Sequence, residues 1–204
     1  MAGRKTYHHG NLREALIEAA ADLIEEAGPQ GFTLAEAARR AGVSPAAPYR
    51  HFQGREDLIE ALALRGFEIF AARLAEAHNK GRPNPLAAFT RLGGCYLDFA
   101  QDFPGYYMAM FESGVAISGN SDLARAADRA LSVLVDAASA LFASLPAEKR
   151  PPARMVANHI WAMSHGVVEL FSRGKPGSRT PYAPADMLES GVIIYLRGLG
   201  VMDA

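Results

Sequence analysis

TLAEAARRAGVSPAAPYRHF, residues Thr33 to Phe52, reads as two short helical pieces folded around a tight turn. Thr33 can cap a helix whose Glu36 reaches back to the open backbone amide, and Leu34, Ala37, Ala38 and Ala41 then share one face. Gly42 falls where that helix must end in a left-handed conformation, and Val43 is an apolar plug. Ser44-Pro45 supplies a fresh cap with proline at the first helical position, where its missing N–H costs nothing. A second helix starting this soon after the first has helix-turn-helix spacing. Its exposed side carries Arg39, Arg40, Tyr49, Arg50, His51 and Arg55, with no acidic residue between Arg39 and Arg55, a pattern suited to phosphate contact.

The same two capped helices would also suit an ordinary helical hairpin within a bundle. Size separates the two readings. Alanines at 37, 38, 41, 46 and 47 provide too little volume for a thick core, but they permit a close helix crossing and a slim second helix, narrow enough for a groove about 12 Å wide.

The chain has 204 residues, is 50% hydrophobic and 21% charged, and can bury a core much larger than this unit. The opening MAGRKTYHHGN has no apolar run after it and no stretch approaches the ~20 apolar residues of a membrane span, so a cytoplasmic protein without membrane partners is expected. A single cysteine, Cys95, leaves no internal disulfide and no cysteine-rich zinc site, and its neighbours Leu92, Tyr96 and Phe99 make it a candidate buried hydrophobe. Net charge is −1, and residues 1–60 hold seven Arg/Lys against nine Asp/Glu. The charges are segregated: six of those acids lie between Glu14 and Glu36, whereas Arg4, Lys5 and Arg13 open the chain and Arg39 to Arg55 form the basic stretch. Binding to a polyanion would be local and salt-sensitive.

Helical periodicity dominates elsewhere. Asn11-Leu12-Arg13-Glu14 starts an amphipathic helix that stops at Gly28-Pro29, the first of a three-helix head. Gly54-Arg55-Glu56-Asp57 opens a helix running to about Lys80, with Gly66 as a point for bending, long enough to link head to body. Further helices are expected from Asn84-Pro85 to Phe103-Pro104, Tyr106 to Glu112, Ser121 to Ser144, Pro152 to Arg173 and Asp186 to Leu199, the last opened by a capping box at Asp186 and Glu189. The expected fold is all-α: a helix-turn-helix head over residues 1–54, then a larger helical body over 55–204.

Thr33, Ala38, Ala41-Gly42-Val43-Ser44, Tyr49 and Phe52, followed by Asp57-Leu58, make residues 8–60 resemble the head of the tetracycline-repressor (TetR) family of one-component bacterial transcription regulators. Trp161…His165-Gly166 is similar to the tryptophan-histidine-glycine pattern of one C-terminal branch. Position 48, usually a large aliphatic residue in the family, is Pro48 here, and position 55, often lysine, is Arg55. Pro48 lacks an amide donor and disfavours helix at Ala47, so the second helix is expected to begin with a tight turn and become regular from Pro48. The resemblance implies a double-stranded, pseudo-palindromic DNA operator as partner. Ser44, Pro45, Ala46 and Ala47 would meet bases; Tyr49, His51, the amide of Thr33 and Arg55 would hold phosphates; Arg4 and Lys5 would form an arm along the DNA. Arg50 is either a base reader or a solvated helix-surface arginine.

The resemblance further implies a body that dimerises and accepts an effector. Apolar side chains cover most of the circumference of the helix 152–173, and the last helix adds Gly191 and Gly198 for close packing. A homodimer joined through these two helices is expected, with Met163, Val167, Leu188, Val192, Tyr195 and Leu199 at the interface. Phe89, Tyr96, Phe99, Met108, Phe111, Trp161 and His165 form a candidate pocket for a mostly hydrophobic small molecule, although aromatics at helical spacing also make plain core. No metal-ligand spacing is present and no cofactor is implied. Ser164-His165 point to different sides of a helix, which argues against an enzyme. A DNA-binding regulator without an effector is the main alternative to a ligand-released repressor.

Overall fold

The structure, a computed structural model, describes residues 12–172 and 181–202. Every regular element among them is helical. Arg4, Lys5 and the cap expected at Asn11 lie outside the described residues. The chain divides into two compact units, residues 1–66 with 104–116, and residues 67–103 with 117–204. The first boundary between these units falls at Gly66, within a helix.

In the first unit α1 (Leu12–Ala27) buries Leu16, Ile17, Ala20 and Ile24 and ends at Gly28, whose φ of +79° favours a residue without Cβ. α2 (Leu34–Arg40) starts with the expected capping box: the Thr33 amide donates to Glu36 Oε2 at 2.8 Å and the Glu36 amide to Thr33 Oγ1 at 3.2 Å. It ends in a Schellman motif. Gly42 has φ +72° and donates to Arg39 O, and Val43 N–H bonds Ala38 O at 2.9 Å.

The next piece opens with the expected tight turn but does not become a regular helix from Pro48. It is a turn leading into one short 3₁₀ segment, Ala47–Arg50. Pro48 has no N–H to return to Ser44 O, so the amide of Ala47 makes that bond at 2.9 Å, and Pro48 O accepts from His51 and Phe52. Pro48 and Phe52 are buried and tie this recognition turn to the unit beneath it.

α3 (Arg55–His78) is a single helix in which the division between units falls. α4 (Pro85–Asp102) is capped by Asn84 Oδ1 on the Ala87 amide at 2.9 Å. At Phe103 the backbone leaves the helix (φ −131°, ψ 53°), and Pro104 starts α5 (Pro104–Phe111), which packs on α1 as part of the first unit. Gly105 makes this possible: a Cβ there would lie 2.2 Å from the Ala21 carbonyl oxygen.

The second unit holds the rest. α6 (Ser121–Phe142) packs on α4 and on α7 (Ala153–Val167), and α8 (Pro184–Gly198) packs on α4 and α7. α7 runs into a π-helical turn, Val168–Ser172. The capping box expected at Asp186 does not form, because α8 already begins at Pro184, which suits the first helical turn.

Candidate nucleic-acid interface and effector site

The head presents Thr33, Ser44, Pro45, Ala46, Tyr49, Arg50 and His51 to solvent, with Ala47 half-buried. Tyr49 is 65% exposed, high for a tyrosine, with its phenol free to reach a phosphate oxygen. Among the described residues no ion pair engages Arg39 or Arg50. Arg50 is therefore available to an external anion, and Arg39 is exposed but also drawn by the Glu36 carboxylate one turn away.

Two arginines of the basic stretch are occupied. Arg40 is clamped by Glu26, with contacts of 2.8 and 2.6 Å, and lies 3.8 Å from Asp22. This pairing lowers the Glu26 pKa and raises that of Arg40. Arg55, expected on phosphate, turns its guanidinium inward. It donates to Pro29 O at 2.5 Å and to Gln30 Oε1 at 2.7 Å, and it sits 5.9 Å from the centre of the Phe32 ring. These contacts hold the loop between α1 and α2, 25 and 26 residues away in sequence, so Arg55 positions the frame of the head. Sequence reasoning missed this because the Pro29 carbonyl acceptor carries no side-chain signature.

The expected effector residues are divided between the two units. Phe89, Tyr96, Phe99, Trp161 and His165 belong to the second unit, whereas Met108 and Phe111 lie on α5 in the first, where Phe111 packs 4.9 Å from Tyr107. Within the second unit Phe70 is the hub, 5.2 Å from Tyr96, 4.8 Å from Phe99 and 5.7 Å from Trp161. Phe70 belongs to α3 and was not among the candidates. Tyr96 Oη and His165 Nδ1 share a 3.1 Å hydrogen bond, a polar pair inside an aromatic wall, with Trp161 and His165 half-buried.

Beside this cluster a cleft of about 180 Å³ lies among α4, α7 and α8, lined by Phe89, Thr90, Gly93, Gly94, Ile160, Leu188, Glu189 and Val192. A Cβ on Gly93 would come within 3.1 Å of Leu188, so one glycine closes α4 on α8, while Gly94 opens on free space. Cys95 is buried as expected, and burial pushes its thiol up to about 11, away from reactive thiolate chemistry.

The expected dimer residues divide by face. Leu188 and Val192 are only 4% and 7% exposed and pack inside the protomer, whereas Met163, Val167, Tyr195 and Leu199 are half-buried. The outer face of α8 instead carries Met187, Gly191, Ile194 (70% exposed) and Gly198. The outer face of α7 carries Met155, His159, Ala162 and Gly166, continued by Leu170 in the π turn. His159 Nδ1 and Tyr195 Oη share a 2.8 Å hydrogen bond between the two stripes. Ile194 was missed because α8 is apolar around much of its circumference, so periodicity alone did not say which side turns inward.

Comparison with known proteins agrees with this architecture. Residues 16–62 match the family described as bacterial regulatory proteins, tetR family, and residues 89–193 match the tetracyclin repressor-like C-terminal domain. The uncharacterized HTH-type transcriptional regulator YobS of Bacillus subtilis is 29% identical over 100 residues, 49% of this chain and 51% of its own. The chain spans about half the length of the curated relatives it matches. A solved protein of unknown function from Rhodococcus sp. RHA1 superposes with a TM-score of 0.80 at 29% identity, covering 96% of this chain and 98% of its own. PfmR of Thermus thermophilus, described as a TetR family transcriptional regulator, shares the fold at a TM-score of 0.69 and 17% identity, over 89% of this chain and 97% of its own. The C-terminal match alone covers more than half of the chain, and with a head built around a capped helix, a glycine turn and an exposed basic recognition segment, the chain belongs to the TetR family of DNA-binding transcription regulators.

Proposed function

We propose that this regulator is a homodimeric repressor of a pseudo-palindromic operator, released by a mostly hydrophobic small molecule. The observation that carries the DNA-binding part is the recognition turn with Tyr49, Arg50 and His51 all exposed, next to a second exposed arginine, Arg39. Phosphates would be held by Tyr49, His51 and Arg39, with bases met by Ser44, Pro45, Ala46 and Ala47; the Thr33 amide, expected on phosphate, is already taken by the Glu36 carboxylate at 2.8 Å. One head gathers few such contacts. Two heads about 34–36 Å apart, one helical turn of DNA, would double them, and the apolar stripes on α7 and α8 supply a surface for a partner protomer.

The effector would enter the second unit through the cleft beside Phe89 and Ile160, with the Tyr96–His165 pair as its polar handle. Its walls favour an aromatic or acyl-bearing compound. The second reading, a regulator without an effector, rests on the modest size of this one cleft, about 180 Å³ against the ~300 Å³ at which ligand pockets usually begin.

A duplex selected from a randomised pool by the full-length protein, followed by titration of a panel of aromatic and acyl-bearing compounds, separates the readings. A ligand-released repressor is stabilised by at least one compound, by about 2.7 kcal/mol at a hundredfold excess over Kd, and the same compound weakens operator binding. The coupling is reciprocal, so the duplex lowers affinity for the compound by the same factor. Thermal stabilisation without any change in operator affinity would contradict release, and selection of no duplex would contradict DNA binding itself.

A further inference from the structure

Resting on the DNA-binding reading above, we infer that the head reads operator sequence chiefly through thymine methyl groups, met by Pro45 and Ala46. In helix-turn-helix geometry the leading end of the second element enters the major groove. Here that end is Ser44-Pro45-Ala46-Ala47, with the first three exposed and Ala47 half-buried. It offers no Arg, Lys, Asn or Gln, the side chains that pair bidentately with guanine or adenine. Base edges in the groove are otherwise donors and acceptors, which proline and alanine side chains would desolvate without replacing their bonds. The C5-methyl of thymine is the one major-groove group of the standard bases that short apolar side chains match.

The turn is built to present these groups without ordering costs. Pro45 and Pro48 each fix φ, the Ala47 amide is bonded to Ser44 O, and the Pro48 carbonyl accepts from both His51 and Phe52. Pro48 is buried, so the turn is anchored from below while its tip faces outward. The small tip also lets the backbone approach the base pairs closely. Tyr49 and Arg50 follow the tip, and phosphate contacts from them would fix register without sequence information.

Uracil is thymine without that methyl. Removing one buried methyl weakens binding about fourfold, and removing one at equivalent positions of two half-sites weakens it about 15-fold. The test takes the duplex selected by the full-length protein, replaces each thymine by uracil at equivalent half-site positions, and measures Kd by fluorescence anisotropy at fixed salt. We expect at least one pair of positions with a loss of about 15-fold, and expect Ala46→Gly or Pro45→Ala to shrink that thymine-to-uracil ratio toward one. Ala46 has φ −84° and ψ −17°, a conformation glycine shares, so Ala46→Gly keeps the turn. Indifference to uracil in a tightly bound duplex would overturn the methyl readout and leave DNA binding standing. So would discrimination that vanishes in Arg50→Ala while surviving both tip variants, since that would assign reading to the arginine. Failure to select any duplex would instead remove the DNA-binding reading on which this inference rests.

Discussion

Arg55 and Arg50 stand close together in one basic stretch, yet Arg55 is tied to Pro29 and Gln30 while Arg50 is exposed. Arg55 braces Pro29, Gln30 and Phe32, so Arg55→Ala should lower stability by about 1–2 kcal/mol in denaturant unfolding and leave the salt dependence of operator binding unchanged. A salt slope flattened by about one unit with stability unaltered would put Arg55 on phosphate after all. Arg50 is exposed with no ion pair among the described residues, so Arg50→Ala should weaken binding at unchanged stability, and flatten the slope by about one if its charge meets a phosphate. Tyr49→Phe should weaken binding without changing the slope, because it removes a hydroxyl and no charge. The exposed members of this set could be read from the sequence because helix and turn chemistry is local. The inward turn of Arg55 could not, since its acceptors come from another segment.

Among the helices and turns, local backbone chemistry explains what was legible. Gly42 after Ala41 and Glu36 after Thr33 specify the two ends of α2 by backbone conformation and spacing, and both form as expected. The recognition piece is shorter than expected because prolines at both 45 and 48 leave no room for a regular α-helical ladder. α5 was legible as a helix but its place was not. The close approach of Gly105 to the Ala21 carbonyl and the Tyr106 hydroxyl donating to Glu18 Oε1 at 2.9 Å reveal that it belongs with α1. Gly105→Ala should therefore force α5 off α1 and cost about 1–3 kcal/mol, measured by chemical denaturation. Gly94→Ala is the control with opposite sign: its Cβ meets nothing within 4 Å in mid-helix, so it should stabilise by about 0.5–1 kcal/mol. Equal effects from the two alanines would contradict this placement of α5.

For the molecule as a whole, the all-helical class and nearly every helix followed from apolar periodicity. The assignment of faces did not, because α7 and α8 are apolar on both their inner and outer sides. Burial separates them. Ile194→Glu should leave the protomer folded and shift sedimentation from dimer to monomer, whereas Val192→Glu places a charge in the protomer interior and should cost on the order of 3 kcal/mol of stability. Dimers that survive Ile194→Glu would move the interface away from the outer face of α8. The division of the chain was likewise hidden from sequence, since the first unit draws on two separated segments, 1–66 and 104–116.

In the proposed function the head grips DNA through a few exposed basic and phenolic side chains beside the recognition turn. The decisive experiment follows affinity for the selected duplex as a function of salt concentration, for the unaltered protein and for the Arg39→Ala/Arg50→Ala double variant. Log affinity should fall linearly with log salt for the unaltered protein, and the double variant should bind more weakly with a shallower slope while its unfolding is unchanged. Identical affinities and slopes for the two proteins, or binding that ignores salt, would contradict a head that grips DNA through these side chains.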